Sequence, residues 1–248
     1  MKKTAIVILV TCTLSGCASL PDDPAERSEV LALNDPIEPL NRAMFVFNER
    51  LNNTVVAPIV RTYRDNTPAP VKTAVSNVLT NLRAPYVFWN DLLQARFCVA
   101  GDTFTRFVVN STVGIGGLVD VAAQSASIES HGNDLGQTFA LWGVPEGPYL
   151  VVPILGPSTV RDGAASTIEY FVEPIDYALY KAELNFVTWG REGVSFVDRS
   201  SRNLEGVERL NSTALDSYAT LRTAYRQVRA ADRKDPGCSN WIAGSPHR

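Results

Sequence analysis

Between Leu135 and Val160 the chain reads LGQTFALWGVPEGPYLVVPILGPSTV, with Glu146 as its sole charge. A stretch this apolar is long enough for a bilayer, since a spanning helix needs about 20 predominantly apolar residues. Gly136, Gly143, Gly147 and Gly156 interrupt it, however, as do Pro145, Pro148, Pro153 and Pro157. Each proline removes a backbone donor and crowds the preceding turn, so a straight spanning helix is excluded. Two forms remain. One is a buried loop with two short strands; the other is irregular or hairpin chain at a membrane, which hydrocarbon tolerates only against protein or along a cavity. Periodicity does not separate them in such short runs.

The N-terminus bears on the choice. Lys2 and Lys3 precede a short apolar run from Ala5 to Val10, so residues 1–16 read as a secretory signal peptide. It ends in Leu14-Ser15-Gly16-Cys17, which resembles the bacterial lipobox. By that resemblance Cys17 carries a diacylglycerol and an N-acyl chain, and several acyl chains anchor firmly. Ala18 and Ser19 follow in place of the usual inner-membrane retention aspartate, which points to the outer membrane. Removing residues 1–16 takes two lysines and no acid, leaving 21 basic against 26 acidic residues and a formal charge of −5. That balance excludes the basic footprint of a nucleic-acid binder. Of the remaining cysteines, Cys98 and Cys238 form either a disulfide, which an oxidising compartment permits, or two independent thiols.

Residues 17–34 suit a lipidated tether, residues 35–235 a single mostly α domain, and residues 236–248 a flexible tail. Leu40, Met44, Phe47, Leu51 and Val55 mark one helical face, which Ala43 and Phe45 broaden and Pro58 should kink or end. Val71, Ala74, Val75, Val78, Leu79 and Leu82 form the cleanest stripe, and Pro85 should open a new helix at its N1 position. Tyr86, Val87, Phe88 and Trp89 then cover every side of one turn, as in a deep core or at lipid. Phe45, Phe47, Phe88 and Trp89 are accordingly candidates for a membrane-facing rim. Phe104, Phe107 and Val108 lie on another helix, which the glycines of Gly114-Ile115-Gly116-Gly117 close with a sharp turn or a close helix approach. Short helices are expected at 158–170 and 177–181, a longer one at 185–203, and a last one carrying Val207, Leu210, Ala214, Tyr218, Leu221, Tyr225 and Val228. Beside that last stripe run Arg222, Arg226, Arg229 and Arg233. They form either a solvated edge or a docking surface for an acidic partner.

Reactive groups are scarce. The chain holds two histidines, His131 and His247, and no CxxC spacing, so a metal site has no ligand set. The glycine run has Val119 where a dinucleotide fingerprint needs glycine, and Gly156-Pro157-Ser158-Thr159-Val160 lacks the second glycine of a nucleophile elbow. His131, beside Asn133 and Asp134, reads as a loop hydrogen-bonder. No cofactor is expected beyond the acyl groups on Cys17, and no catalysis.

Several motifs, in order, carry a family resemblance: Asp35-Pro36-Ile37-Glu38-Pro39-Leu40-Asn41-Arg42, Asn90-Asp91-Leu92-Leu93-Gln94, Asn110 to Gly117 with Asp120, Asp134-Leu135-Gly136-Gln137-Thr138, Gly147-Pro148-Tyr149 and Gly156 to Gly163. Together they resemble the MlaA/VacJ lipoprotein family over residues 34–200; beyond that the match weakens. The resemblance implies a flat, ring-like bundle of amphipathic helices in the periplasmic leaflet of the outer membrane, with an amphipathic channel. It implies removal of misplaced outer-leaflet phospholipid and delivery to the periplasmic lipid carrier of the Mla pathway, in association with a trimeric porin. A hairpin at Gly143–Pro153 would then border the channel, with Gly143, Glu146, Gly147, Pro148 and Tyr149 as phospholipid-contacting candidates. The competing expectation is a scaffold lipoprotein, a soluble helical domain tethered through Cys17.

Overall fold

The computed structural model describes residues 35–234 and 237–239; the signal peptide, Cys17 and the tether to residue 34 lie outside them. The described chain is a mostly helical domain around one small hairpin. Helix α1 spans Glu38–Leu51, passes through a wider π turn at Asn52–Val56, and continues as α2, Ala57–Asn66. Pro58 sits in the first turn of α2. The expected kink therefore takes the form of a π turn, which absorbs the donor that proline lacks.

Helix α3 runs unbroken from Ala69 to Leu93 with Pro85 inside it, where the sequence suggested two helices. α3 lies against α4, Phe97–Thr112, along much of its length. That packing offsets the cost of the interior proline, about 3 kcal/mol. Past α4, a Cβ on Gly114 would stand 2.3 Å from the Val119 carbonyl oxygen, and one on Gly117 (φ +95°) would stand 2.6 Å from Asn81 Cβ. The glycine run thus provides both a sharp turn and a close approach to α3. Short helices α5 (Val121–Ala126) and α6 (Leu135–Leu141) follow, their first turns capped by Asp120 and Asp134.

Strands β1, Tyr149–Val152, and β2, Gly156–Thr159, pair antiparallel with Tyr149 opposite Thr159 and Val152 opposite Gly156. The hairpin therefore begins six residues later than Gly143. Residues 143–148 lack a strand partner, and the reversal falls at Ile154 (φ +70°) and Gly156 (φ +87°). Helix α1 satisfies the outer edge of β1 with side chains. Asn41 Nδ2 donates to the Tyr149 carbonyl at 2.9 Å, and its Oδ1 accepts from Val151 N–H at 2.9 Å. One heptad on, Asn48 does the same for the Val152 carbonyl (3.0 Å) and Ile154 N–H (2.7 Å). Two asparagines on one helical face thus act as a missing strand and close an edge that would otherwise invite pairing.

After the hairpin come α7 (Val160–Val172), α8 (Pro174–Lys181), α9 (Asn185–Thr213) and α10 (Ser217–Asp232). Val207 and Leu210 belong to the end of α9, so the periodic stripe through Val228 spans two helices. The break falls where Asp216 accepts from Ala219 N–H at 3.1 Å and caps α10. Cys98 and Cys238 are joined, with Cα atoms 5.8 Å apart. Ser239 N–H and hydroxyl both donate to Asp102, each at 2.7 Å. The start of the stretch expected to be a free tail is therefore tied to α4.

The apolar core is thin. One cluster joins Ala57, Val60 and Leu204; another joins Tyr149, Val151 and Tyr218, with Met44, Phe45 and Tyr225 packed around it. Many fully buried side chains are polar, while Phe97, Phe171, Phe186 and Trp189 are each about two-thirds exposed or more. This inverts the ordinary arrangement of a soluble domain. Among the described residues no helix is long and apolar enough to cross a membrane.

Candidate functional site: a cationic cavity beside an apolar groove

Two concavities meet on α3. The first is an apolar groove of about 760 Å³ between the stripe Val71, Ala74, Val75, Val78, Leu79 and Leu82 of α3 and Phe186, Val187, Gly190 and Val194 of α9. The second is a cavity of about 460 Å³ walled by α3, α4, α9, the loop 130–134 and the end of α10. Leu79 lines both.

The cavity wall is polar and held rigid. Asp91, fully buried, accepts from the Thr103 hydroxyl (2.8 Å), Asn133 Nδ2 (2.8 Å) and His131 Nε2 (3.0 Å). His131 is thus a loop hydrogen-bonder, held by Asp91. Arg106 pairs with Asp120 at 2.7 Å and donates to the Ile128 carbonyl. Arg202 pairs with Asp198 and reaches Ser76 Oγ at 2.5 Å. Tyr63 donates to the same Asp198 at 3.2 Å, and its hydroxyl is pushed up by burial and that carboxylate.

Two cavity arginines differ from these. Among the described residues Arg199 donates only to Ser195 Oγ, at 3.1 and 2.6 Å. Burial, then the neighbouring charge of Arg83, hold its guanidinium below the ordinary arginine value. Arg83 lies over the Tyr86 ring, 5.2 Å from its centroid. Neither makes an ion pair among the described residues. Three acids line the same cavity: Asp134 pairs with Arg229, Asp198 with Arg202, and Asp232 stands at the end of α10, while Glu173 and Asp176 both pair with Arg191, at 2.9 and 2.8 Å.

The α10 arginines face the opposite fate. Arg222 is buried and pairs with Asp35 at 2.7 Å and Glu38 at 3.4 Å. Arg226 lies 3.3 Å from Glu146. Arg229 binds Asp134 at 2.5 Å and Asp162 at 3.0 Å, and Asp162 also accepts from the Tyr225 hydroxyl at 2.6 Å. Burial pushes the Asp162 carboxyl up, but Tyr225 and Arg229 together pull it below its usual range. Arg233 alone is left at the helix end, where its carbonyl accepts from Arg96 at 2.9 Å. Arg222, Arg226 and Arg229 are therefore neither a solvated edge nor a docking surface: they face inward, while Arg233 is exposed. The carboxylate partners of these three come from distant parts of the chain, which helical spacing does not reveal.

The segment 143–149 also sits differently from expectation. None of Gly143, Glu146, Gly147, Pro148 or Tyr149 lines the cavity. Tyr149 is fully buried against Tyr218 and Tyr225, where burial and Asp35 push its hydroxyl up to about 12. Glu146 is half-buried against Arg226, its carbonyl accepting from Arg161 N–H at 3.1 Å. Gly147 (φ +68°) lets the chain pass Val160, and the Pro148 carbonyl accepts from Val160 N–H at 3.1 Å. Gly143 (φ +86°) turns in open space. The phospholipid-contacting role expected of these five residues thus finds no support in the lining of this cavity. Of the rim candidates, Phe47 and Trp89 are half exposed, whereas Phe45 stacks edge-on to Tyr218 and Phe88 packs against Phe104. The exposed apolar belt instead draws on Phe97, Phe171, Phe186 and Trp189. Tyr170-Phe171-Val172, three consecutive bulky residues at a helix end, was the readable signal for part of it.

Many buried polar side chains, many exposed large apolar ones, no helix among the described residues able to span a membrane, and a groove and cavity that share Leu79 suit a helical protein at the surface of a bilayer. Comparison with known proteins specifies the class: the family model described as MlaA lipoprotein matches residues 33–232, and the chain belongs to this family. The chain is 31% identical over 228 residues, 91% of its length and 86% of the relative's, to the intermembrane phospholipid transport system lipoprotein MlaA of Escherichia coli (strain K12). It is 30% identical over 230 residues to the lipoprotein of the same description in Haemophilus influenzae, covering 91% of this chain and 88% of that one. An uncharacterized protein of Rickettsia prowazekii is 30% identical over 246 residues, 95% and 96% of the two chains. Among solved structures, a chain from work on the structural basis for maintenance of bacterial outer membrane lipid asymmetry superposes with a TM-score of 0.71 at 27% identity. That match covers 81% of this chain and 99% of the other.

Proposed function

We infer that the protein is an outer-membrane component of intermembrane phospholipid transport and maintains the lipid asymmetry of that membrane. The family match and the lipid-transport relatives support this. The observation that carries the mechanism is that Leu79 lines both an apolar groove and an arginine-bearing cavity. A phospholipid moving between leaflets must keep its charged phosphate among polar partners and its chains among apolar ones, because burying an unpaired charge is very costly. A groove for chains beside a cavity for headgroups meets both needs. Neither requires a reactive residue in this chain, so passage is non-catalytic.

The anchoring follows the sequence: acyl chains on Cys17 hold the tether, and the exposed belt around Phe171, Phe186 and Trp189 sits among lipid tails. Delivery to a soluble periplasmic carrier and association with a trimeric porin complete the reading, on the strength of the family resemblance. The test is a strain lacking the protein. Its outer leaflet should accumulate phospholipid and its growth should become detergent-sensitive; normal values in both reject the transport reading. A Cys17→Ser version, secreted with a matched signal, should still need detergent to stay in solution. If it is freely soluble, the embedded belt is refuted and a tethered scaffold remains.

A further inference from the structure

We propose that Arg83 and Arg199 together dock a phosphate ester, the headgroup phosphate of a phospholipid, on the wall of the cavity. The proposal rests on the transport reading above and adds where along the path the headgroup is held.

Two lines of geometry carry it. The first is pairing. Arg106 and Arg202 each have a carboxylate, at Asp120 and Asp198. Arg83 and Arg199 have none among the described residues, although both line the same cavity and are near enough to repel each other. Two like charges kept together in a partly desolvated place weaken the fold unless something compensates them. A phosphate does so well: a guanidinium presents parallel donors that match two of its oxygens.

The second line is polarity along the helices. On α3 the groove lining runs from Val71 to Leu82 and the cavity lining from Ser76 to Val87, on neighbouring faces that share Leu79. On α9 the groove residues Phe186, Val187, Gly190 and Val194, with Arg191 neutralised among them by Glu173 and Asp176, precede the cavity residues Ser195, Asp198 and Arg199. Leu79 and Arg83 are four residues apart and so share a helical face. A phosphate at Arg83 therefore leaves its glycerol and acyl chains one helical turn away, at the mouth of the groove. Free phosphate would use the same guanidiniums but would have no use for the adjoining apolar wall.

The test uses the full lipidated protein in detergent micelles, measuring retention of phosphatidylethanolamine and of diacylglycerol with identical chains. Inorganic phosphate serves as competitor. The wild type should favour the phospholipid. Arg83→Gln/Arg199→Gln should lose roughly tenfold in phospholipid affinity for each guanidinium removed, as charged hydrogen bonds imply. Its diacylglycerol retention should be unchanged. Arg83→Lys/Arg199→Lys should recover much of the preference, which a merely structural role would not predict. Circular dichroism and the unfolding temperature check that each variant is folded. A folded double glutamine variant that favours phospholipid as strongly as the wild type overturns the proposal and leaves the transport reading standing. Displacement by inorganic phosphate at equal concentration would assign the pair to free phosphate and also overturn it. If the wild type retains neither lipid, both the site and the transport reading fall.

Discussion

The molecule uses arginine in two opposite ways. On α10, Arg222 and Arg229 are turned inward and paired with Asp35, Glu38, Asp134 and Asp162, acids drawn from the start and the middle of the domain. In the cavity, Arg83 and Arg199 make no ion pair among the described residues. The first arrangement ties α10 to α1, α6 and α7 and holds the fold. The second leaves charge available to a ligand. The contrast teaches that position in a helical row says little about an arginine's role, whereas the fate of the nearest acids says a great deal.

The strongest challenge to that contrast is Arg229→Ala. It leaves Asp134 partly buried without its cation and Asp162 with Arg161 alone, a loss on the order of 3–5 kcal/mol. In a chain of this size that corresponds to a fall of about 10 °C or more in unfolding temperature. If the unfolding temperature holds, α10 is not an ionic clamp. The disulfide is the covalent counterpart of that clamp beyond α10. Cys98→Ser should cost about 2–5 kcal/mol, since the bond closes a long loop, and reduction of the wild type should lower its unfolding temperature to match. Gly136→Ala tests the clamp more gently. The new Cβ would stand 2.7 Å from both an Arg229 nitrogen and an Asp162 oxygen, and overpacking of this kind costs about 1–3 kcal/mol. Arg83→Gln and Arg199→Gln should behave in the opposite sense, leaving unfolding within about 0.5 kcal/mol of wild type or slightly stabilised. Destabilisation comparable to Arg229→Ala would erase the distinction between the two rows.

The smallest effects are in pH. Asp162 is held below its usual value in the folded state, so its contribution is present above an unfolded value of about 3.9. It is lost as pH falls through the folded value. Asp176 has the reverse sign. Burial, then Glu173 beside it, raise its carboxyl to about 6. The folded state therefore binds the proton more tightly than the unfolded chain does, and stability rises slightly as pH falls from 7 toward 5. Thermal unfolding across pH 7 to 3 should show that shallow gain before an acid loss. Asp176→Asn should remove the gain and Asp162→Asn should blunt the loss.

Much of this was legible in the sequence. The α3 stripe from Val71 to Leu82 is the apolar groove wall, the glycines after Thr112 make the expected tight turn, and the motif series gives the family. What could not be read depended on long-range partners. The carboxylates that capture Arg222 and Arg229 lie far off in sequence. The strand edge that Asn41 and Asn48 satisfy belongs to another element, and the packing on α4 that carries α3 through Pro85 is tertiary. The site moved for the same reason. Glu146 and Tyr149 were singled out as polar groups in an apolar stretch, yet each is occupied by the fold. Arg83 is a single charge beside a conspicuous stripe, and only the tertiary structure shows that it makes no ion pair among the described residues. Asp216, a capping residue between two apparently continuous periods, was the local clue to the break between α9 and α10.

The central claim is that lipid passes between groove and cavity at Leu79, and photocrosslinking in intact outer membranes tests it most directly. A photoreactive phenylalanine analogue in place of Leu79 should capture phospholipid, one at Trp189 should capture it from the surrounding bilayer, and one at Tyr218, inside the core, should capture none. Adducts at Trp189 with none at Leu79 would show a protein that merely rests in lipid, and would contradict the account.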